Sequence, residues 1–393
     1  MTPAGPAGPG FDADVIVIGC GPVGVMAALR CAQRGLSVIA IDRSEEIYPL
    51  PRALGMDDET QLLFERAGLG DELRRNSAPL LGAEFVDRTG ERVVGVELPP
   101  GTVGSLGHPP AVTFDQPGLE RALRAAAGAA GVEFRLGFEA FAIGDLDPGV
   151  STGVVVSVGD QSVDAELTAR WAIAADGAKS TVRSLRGIAM VDQGFDQTWL
   201  VIDTTLQDPD LPLPPAAQQL CDPARVSTFV PGPANHRRWE FQLLAGETRD
   251  EMLDEAVIWK LLAPWATPGQ LSIDRTAVYR FHATVAERFR DGPVFLAGDA
   301  AHQMPPFNGQ GMCAGLRDAE NLSWKLAMVA NGRAGDALLD SYDTERRPHA
   351  AAQVGHSVDA GMLMQAIAHD GEAALESGYG QRSFPRLAGD LFQ

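Results

Sequence analysis

Three glycines and one aspartate near the N-terminus have the types and the spacing needed to bind a dinucleotide. Gly19, Gly21 and Gly24 form a Gly-x-Gly-x-x-Gly motif that directly follows the apolar run 15–18. In such a motif the first glycine permits a tight turn, the second lets backbone approach a pyrophosphate, and the third lets a helix pack closely on its strand. Asp42 ends the next predicted strand, where its carboxylate can accept hydrogen bonds from a ribose diol.

The helix predicted after these glycines supports the same interpretation. It covers 25–34, so its N-terminal amides and the positive end of its dipole are directed at the expected phosphates. Pro22 and Val23 stand at its entrance, and Arg43 follows the acidic end of the second strand. These three residues are therefore included among the predicted cofactor-binding residues.

A second glycine-rich motif lies far along the chain. Gly298 and Asp299 follow the apolar run 294–297, and a Pro-Pro pair and a glycine-rich loop come next. That loop adds the candidate residues Pro306, Gly309, Gly311 and Met312. A dinucleotide motif paired with this distant Gly-Asp indicates one bound flavin that is held at both ends.

Composition and charge exclude several classes of function. The chain has 393 residues, 45% of them hydrophobic and 21% charged, which is typical of a globular protein with room for two domains. Its formal net charge of −20 disfavours nucleic acid and anionic membrane as partners, since both attract basic surfaces. No apolar run reaches the roughly 18 residues of a membrane span, and residues 1–11 resemble a flexible tail more than a signal peptide. A cytoplasmic enzyme is therefore expected.

The cysteines give no sign of a metal centre. Cys20, Cys31, Cys221 and Cys313 are scattered, and no pair has metal-ligand spacing. We therefore expect no metal and no disulfide framework, and interpret the thiols as small buried or loop residues.

The order of predicted elements indicates an α/β fold, in which a Rossmann-like FAD-binding domain carries an inserted β-sheet substrate domain (an α+β insertion). The predicted ranges are 12–80, 111–185 and 291–350 for the discontinuous FAD-binding domain, 81–110 and 186–290 for the β-rich substrate-binding domain, and 351–393 for a helical C-terminal tail. Two consecutive strands, 162–167 and 170–175, are predicted to precede Asp176.

A strand predicted at 237–243 is the candidate wall of a substrate pocket. Strict alternation separates its side chains into two sets, Trp239 and Phe241 on one side and Arg238, Glu240 and Gln242 on the other. Trp239 and Phe241, together with Pro306, are the pocket candidates, although ordinary core packing is the favoured interpretation of the two aromatic residues.

Three motifs, at 19–24, at 176–183 and at 298–302, together carry a resemblance to a known family. Through them the chain resembles the class A flavoprotein aromatic hydroxylases of the para-hydroxybenzoate hydroxylase type. Within that family it is similar to the 3-(3-hydroxyphenyl)propionate hydroxylase branch and its polyketide-tailoring relatives. Shorter supporting matches lie at 51–53, 114–120, 238–241 and 321–326, and the resemblance spans about residues 12–350.

The resemblance implies a role for each matching residue. The three N-terminal glycines hold the pyrophosphate, and Asp42 binds the adenosine ribose. The other implied cofactor contacts are Arg52 and Gln116 at the flavin phosphate and ribityl region, Asp176 at FAD and NAD(P)H, Asp299 at the ribityl chain, and the amides of Gly311 and Met312 at the pyrimidine edge of the ring. Pro306 is implied beside the ring, where the substrate must lie.

The activity that the resemblance implies is that of an FAD-dependent monooxygenase. NADH or NADPH, a choice that stays open, reduces the flavin, O2 adds at C4a, and the resulting hydroperoxide hydroxylates a small phenolic or aromatic substrate. The alternatives are Baeyer–Villiger oxidation or epoxidation of a polyketide-like substrate, a nicotinamide dehydrogenase, and a non-catalytic FAD-binding protein. A homodimer is an open alternative to a monomer.

Several positions are candidates by chemistry alone or depart from the family pattern. A phenol needs a base or a proton relay to become a better nucleophile, and the histidine candidates are His236, His282 and His302. Arg225 is a candidate carboxylate anchor, with a surface salt bridge as the alternative. Cys313 stands where the para-hydroxybenzoate enzyme has an asparagine, and residues up to 393 contain no counterpart of the thioredoxin-like C-terminal domain of many relatives.

Overall fold

The structure, a computed structural model, describes residues 10–146, 153–160 and 164–385. Its strands are β1 (Ala13–Ile18), β2 (Val38–Asp42), β3 (Gly55–Asp57), β4 (Ser77–Pro79), β5 (Gly82–Asp87), β6 (Arg92–Glu97), β7 (Ala111–Phe114), β8 (Glu133–Leu136), β9 (Glu139–Asp145), β10 (Val154–Gly159), β11 (Asp164–Ala174), β12 (Met190–Leu206), β13 (Ala217–Cys221), β14 (Ser227–Pro231), β15 (His236–Gln242), β16 (Leu271–Ala286), β17 (Arg290–Asp291), β18 (Val294–Leu296) and β19 (His302–Gln303).

The helices are α1 (Pro22–Gln33), α2 (Asp58–Arg66), α3 (Gly70–Arg75), α4 (Gln116–Ala129), α5 (Thr181–Leu185), α6 (Arg249–Met252), α7 (Glu255–Leu262), α8 (Gly311–Ala330), α9 (Ala337–Asp370) and α10 (Gly378–Pro385). Short 3-10 turns occupy Gly298–Ala300, Pro306–Asn308 and Gly371–Glu376. In the part of the chain that the structure describes, no helix is long and apolar enough to cross a membrane. Most of the tail expected at 1–11 and the last residues of the chain lie outside the described ranges.

One sheet, the nucleotide sheet, has the strand order β17-β18-β11-β1-β2-β8, with β9 and β10 attached to β11. Strand β1 is buried along its whole length and pairs in parallel with β11 and β2, and β18 is parallel to β11. The motifs at 19–24, 176–183 and 298–302 each follow one of these parallel strands. They therefore meet at the same edge of the sheet, because the carboxyl ends of parallel strands lie together.

The second sheet, the wall sheet, has the order β19-β16-β12-β15-β14-β13-β5-β6 and is antiparallel except between β13 and β5. Its outer face packs on the helices α6 and α7 through a cluster that includes Trp239, Phe241, Ile258 and Leu262. Its inner face is turned towards the glycine motifs. The two sheets confirm the predicted fold class of a Rossmann-like unit with an inserted β-sheet.

Two details differ from the sequence predictions. The strands expected at 162–167 and 170–175 are one strand, β11, which runs straight through the polar residues Thr168 and Arg170. The boundary expected between 350 and 351 falls inside α9, which runs on to Asp370. Its later residues Leu363, Met364 and Ile367 pack against the wall sheet, because burying them there is more favourable than exposing them.

Candidate functional site

The glycine motif is packed as the sequence predicted. Gly19 has a φ of +101°, and a Cβ there would lie 2.3 Å from the carbonyl oxygen of Ala175. A Cβ on Gly24 would lie 1.9 Å from the carbonyl oxygen of Gly19, so no side chain fits between strand and helix. A Cβ on Gly21 would have nothing within 4 Å, and this open space is where backbone can approach a phosphate.

Around the start of α1 the backbone donors are available. Gly21 is the N-cap of α1 and Pro22 occupies its first turn, and no side chain makes a cap hydrogen bond there. Together with Val23, both residues line a large cavity beside the glycine motif. Asp42 accepts hydrogen bonds from the amides of Cys20 (2.6 Å) and Ser44 (2.8 Å), which fixes its carboxylate beside the glycine loop.

Arg43 and the middle motif lie at the margin of this region. The side chain of Arg43 is 78% exposed and approaches Glu139 at 3.9 Å, on the protein surface. Asp176 accepts hydrogen bonds from the hydroxyl of Ser180 (2.5 Å) and the amide of Val182 (3.1 Å), so it stabilises the start of α5. Gly177 and Ala178, next to it, line the cavity.

A buried aspartate that no sequence motif indicates holds the Gly-Asp motif in place. Asp318 on α8 accepts hydrogen bonds from the amide of Gly298 (3.1 Å) and from Arg346 (2.8 Å). The Nε2 atom of His302 lies 2.8 Å from Oδ2, the oxygen that also accepts from Gly298, and the side chains of Asp318 and His302 are fully buried. Burial raises the pKa of Asp318, but the charges of Arg346 and His302 outweigh burial and lower it. His302 therefore fixes the loop and does not face the cavity.

Arg183 ties two of the three motifs to each other. Its guanidinium donates to the carbonyl oxygens of Ala300 and Ala178, at 2.9 Å each. Neither this contact nor the Asp318 cluster leaves a local pattern in the sequence, because the partners are far apart along the chain.

Asp299 points into the cavity. Its side chain is exposed to the cavity, and it has no hydrogen-bond partner among the described residues. Surrounding protein raises the pKa of its carboxyl by desolvation, against the opposing charges of His302 and Arg52. An unengaged carboxyl that faces a cavity is suited to accept hydrogen bonds from the hydroxyl groups of a ligand.

The start of α8 lies on the far side of the same cavity. Gly309 has a φ of +64°, and Gln310, the N-cap, makes no cap hydrogen bond because its Oε1 accepts from Arg317 at 3.0 Å. The first amides of this helix, at Gly311 and Met312, therefore face the cavity at the positive end of the helix dipole. Cys313 is fully buried, and desolvation raises the pKa of its thiol to about 12.

Gln116 shapes the loop that carries Arg52. Its Oε1 accepts from the amides of Arg52 (2.8 Å) and Ala53 (2.7 Å), and its Nε2 donates to Glu120 at 2.6 Å. The guanidinium of Arg52 lies 5.0 Å from the ring centre of Tyr48 and remains exposed at the cavity.

One cavity of about 520 Å³ joins these parts. It runs from Gly21 and Arg52, past Asp299, to Pro306 and the start of α8, and then along the inner face of the wall sheet. Of the predicted cofactor and pocket residues, it is lined by Gly21, Pro22, Val23, Arg52, Gln116, Asp299, Pro306, Gly309, Gly311 and Met312.

The assignment of Trp239 and Phe241 to the pocket is wrong. Both are buried in the cluster behind the wall sheet, where Trp239 lies 5.0 Å from Phe229 between ring centres. Arg238 and Glu240, on the opposite face of β15, line the cavity instead. Both faces of this sheet are covered, so alternation separates the two sets without telling which one faces the ligand.

A buried ion cluster joins the wall sheet to the Arg52 loop. Asp203 accepts from Arg238 (2.7 Å) and Arg275 (2.8 Å), and His236 Nε2 lies 3.0 Å from it. Burial raises the pKa of Asp203, but the hydrogen bond from His236 and the charges of Arg238 and Arg275 lower it to about 2. Both arginines also donate to the carbonyl oxygen of Pro51, at 2.6 and 3.0 Å.

The other chemical candidates are placed as follows. Arg225 donates to Glu247 at 2.8 Å and to the carbonyl oxygen of Gln242, so it is held in a salt bridge away from the cavity. His282 lines the cavity, half-exposed, with its Nδ1 3.7 Å from Asp196. Within the described ranges, no three His, Cys, Asp or Glu side chains are grouped so that they could hold a metal ion.

These features fit an extended dinucleotide. The open space at Gly21 and the free amides of α1 suit a pyrophosphate, and the unengaged carboxyl of Asp299 suits a sugar or ribityl hydroxyl. The amides of Gly311 and Met312 suit an oxygen that gains negative charge in a reduced ring. All lie along one continuous cavity.

Known proteins are similar to this chain in sequence and in fold. The family model described as "FAD binding domain" matches residues 12–357. A probable NADH-specific resorcinol 4-hydroxylase of Rhodococcus jostii is 36% identical over 350 residues, which cover 88% of this chain and 64% of that protein. A 3-(3-hydroxy-phenyl)propionate/3-hydroxycinnamic acid hydroxylase of Burkholderia cenocepacia is also 36% identical, over 86% of this chain and 61% of that protein.

Solved structures of other hydroxylases have a fold similar to that of this chain. A ternary complex of aklavinone-11 hydroxylase with FAD and aklavinone superposes with a TM-score of 0.83 at 25% identity, covering 91% of this chain and 70% of that one. An anhydrotetracycline hydroxylase from Streptomyces rimosus has a TM-score of 0.76 at 27% identity, covering 95% and 75% of the two chains. The chain spans less than two thirds of the length of the two curated relatives. By its family match and its identity to these relatives, the chain belongs to the FAD binding domain family of the class A flavin monooxygenases.

Proposed function

We propose that this chain hydroxylates a phenolic or other aromatic substrate, using O2 and a nicotinamide as electron donor, with FAD as its cofactor. The observation that carries this proposal is the continuity of the cavity. The cavity runs without a break from Asp299 and the start of α8, between which we expect the flavin ring, to the inner face of the wall sheet. The names of the two curated relatives, both hydroxylases of phenols, support the same reaction.

The proposed roles of the site residues follow from their positions. Gly21 and the α1 amides hold the pyrophosphate, Asp42 binds the adenosine ribose, and Asp299 accepts from the ribityl chain. When bound, FAD supplies the redox and oxygen chemistry. The amides of Gly311 and Met312 stabilise negative charge at the pyrimidine edge, since fixed dipoles in a dry site need no reorganisation.

The surrounding wall orients the substrate and excludes water. Pro306, on one side, and the strands β12, β14 and β15, on the other, enclose the space beside the expected ring. The donor is proposed to be NADH or NADPH that binds transiently, in agreement with the NADH-specific name of one relative. Apart from the boundary at 350, which falls inside α9, the domain boundaries predicted from the sequence remain proposals. A homodimer is also a proposal, and light scattering would test it.

The test is to follow NAD(P)H loss, hydrogen peroxide and product together. The purified protein is mixed with FAD, with NADH or NADPH, and with a panel that includes resorcinol and 3-(3-hydroxyphenyl)propionate. Acceleration by one phenol, with an oxygenated product and little peroxide, is the expected result. Bound FAD without acceleration by any aromatic compound would instead favour a non-catalytic FAD-binding protein.

A further inference from the structure

The inner face of the wall sheet carries a row of four side chains, three of them polar, beside the expected flavin ring. In the strand register, Val201 on β12 is opposite Glu240, Glu240 is opposite Thr228 on β14, and Thr228 is opposite Gln219 on β13. All four side chains line the cavity. Directly opposed side chains have Cβ atoms about 5 Å apart, so one small molecule can contact neighbouring members of the row.

Glu240 is the member of this row whose polar group is not engaged. It is only 5% exposed, and its carboxyl has no hydrogen-bond partner among the described residues. Thr228, by contrast, donates its hydroxyl to Gln219 Oε1 at 2.6 Å. A buried carboxyl without a partner carries a large desolvation cost, unless a ligand supplies the missing hydrogen bond.

The charged groups near Glu240 lie on three strands. Arg238 is on its own strand, Asp203 on β12 and Arg275 on β16, and each guanidinium is anchored on Asp203. Desolvation by burial raises the pKa of Glu240, while the charges of Arg238 and Arg275 oppose that rise and the charge of Asp203 adds to it. Two cations and one fixed anion leave one positive charge, which can stabilise a single further anion in this part of the cavity.

We propose that Glu240 is the base that receives the hydroxyl proton of the substrate, in a subsite completed by Thr228 and Gln219. This rests on the proposed function. In the step, the O–H bond of the substrate breaks, the proton binds a carboxyl oxygen of Glu240, and the electron pair stays on the phenol oxygen. Thr228 Oγ has lone pairs that can accept from a second hydroxyl group of the same ligand. Gln219 Nε2 donates one hydrogen to the carbonyl oxygen of Phe307 at 3.5 Å, and its second hydrogen is available to a hydroxyl or carbonyl oxygen of that ligand.

The local charge explains why a carboxylate can do this in a buried site. The negative charge lies on Glu240 before the proton moves and on the phenol oxygen afterwards, so no new charge is created in the cavity. The field of Arg238 and Arg275 acts on that charge in both positions. Proton transfer to such a positioned base contributes about 10²- to 10⁴-fold to a rate.

The experiment compares wild type, Glu240→Gln and Glu84→Gln as FAD-loaded proteins. Glu84 also lines the cavity, but it already accepts a hydrogen bond from Gln218 at 2.7 Å, so its variant is the matched control. The phenol that stimulates the wild type most is used for kcat and KM between about pH 5 and pH 9. Glu240→Gln is expected to lower kcat by at least 100-fold and to remove the rise of kcat with pH, whereas Glu84→Gln keeps that rise.

A binding measurement separates this inference from the proposed function. Resorcinol is titrated into the three FAD-loaded proteins over the same pH range, and the change in flavin absorbance gives Kd. Glu240 is a base only when ionised, so Kd of the wild type and of Glu84→Gln is expected to change as pH rises through the pKa of Glu240, while that of Glu240→Gln stays constant.

Two results are decisive. Equal pH dependence of Kd and kcat in wild type and Glu240→Gln would overturn the assignment of Glu240. Should no phenol be oxygenated by the wild type, the proposed function fails, and the resorcinol titration still decides whether Glu240 titrates against a bound hydroxyl. If Glu240→Gln does not fold, Glu240→Asp is used, and it is expected to keep the pH dependence with a lower kcat.

Discussion

Replacement of Asp203 by asparagine should destabilise the protein strongly, because this side chain is the anion that pairs two buried arginines. Asp203 is fully buried, and the side chains of Arg238 and Arg275 are only 5% and 7% exposed. Removing one partner of such a cluster leaves uncompensated buried charge, which typically costs about 3–5 kcal/mol. The change should also loosen the loop at Pro51, to which both arginines donate, and thereby weaken FAD binding.

The pKa of Asp203 gives an independent value for how much its negative charge contributes to the free energy of unfolding, and it shows how that contribution depends on pH. It is depressed to about 2, against an ordinary value near 3.9, and each pKa unit corresponds to about 1.4 kcal/mol. Because the folded-state pKa is the lower one, this stabilisation is complete above about pH 4 and is lost as pH falls towards 2. It amounts to about 2–3 kcal/mol, close to the lower end of the cost expected for the substitution.

The assay is urea denaturation of the FAD-loaded protein at pH 7 and at steps down to pH 3. Unfolding is monitored by tryptophan fluorescence and by the release of flavin. Asp196→Asn is the matched control, since Asp196 lies on the same strand and pairs with Arg280 at the surface. Exposed pairs contribute little, so its denaturation midpoint should not change. Our account of the cluster is refuted if Asp203→Asn unfolds within 1 kcal/mol of the wild type at pH 7.

Three further outcomes are expected. Gly24→Ala should abolish FAD binding and lower the melting temperature, because its Cβ would lie 1.9 Å from a carbonyl oxygen. Gly21→Ala should weaken FAD binding about tenfold or more without lowering the melting temperature of the FAD-free protein, because a Cβ there has nothing within 4 Å. An equal loss of melting temperature in the two variants would contradict this distinction. Asp299→Ala should weaken FAD binding by about 10- to 100-fold, as expected for a lost hydrogen bond to a charged group, and equilibrium dialysis that finds unchanged affinity would disprove the contact. Cys313 should not react with iodoacetamide at pH 8 unless urea is added, since burial raises its pKa to about 12; rapid labelling of the native protein, seen by mass spectrometry, would show that the thiol is accessible.

Much of the nucleotide-binding half could be predicted because its signals are local. Each of the three motifs directly follows an apolar strand, and the parallel pairing of those strands brings the motifs to one edge. Gly19 and Gly24 are required by contacts within the strand–turn–helix unit itself and with the adjacent strand. Local pattern was therefore sufficient for the flavin fold, and the family match confirms it.

The substrate half could not be predicted in the same way. Alternation along β15 placed Trp239 and Glu240 on opposite faces, but it did not tell which face borders the cavity. Helices α6 and α7 cover the face of Trp239, and the cavity lies on the face of Glu240. The end of the nucleotide-binding region was likewise placed inside α9, because a helix of 34 residues that packs on different partners along its length carries no signal at residue 350.

By itself the sequence determined the cofactor, the family and the residues that hold the pyrophosphate and the ribityl chain in our proposal, since these depend on backbone conformation and on neighbours close in sequence. Only the tertiary structure decided that Asp318 fixes the Gly-Asp loop and that Asp203 pairs with two buried arginines. It also decided that Glu240 faces the cavity without a hydrogen-bond partner among the described residues. These groups act through charge and burial. Both depend on which distant segments are brought together, and that is settled by packing the whole chain and not by any local pattern.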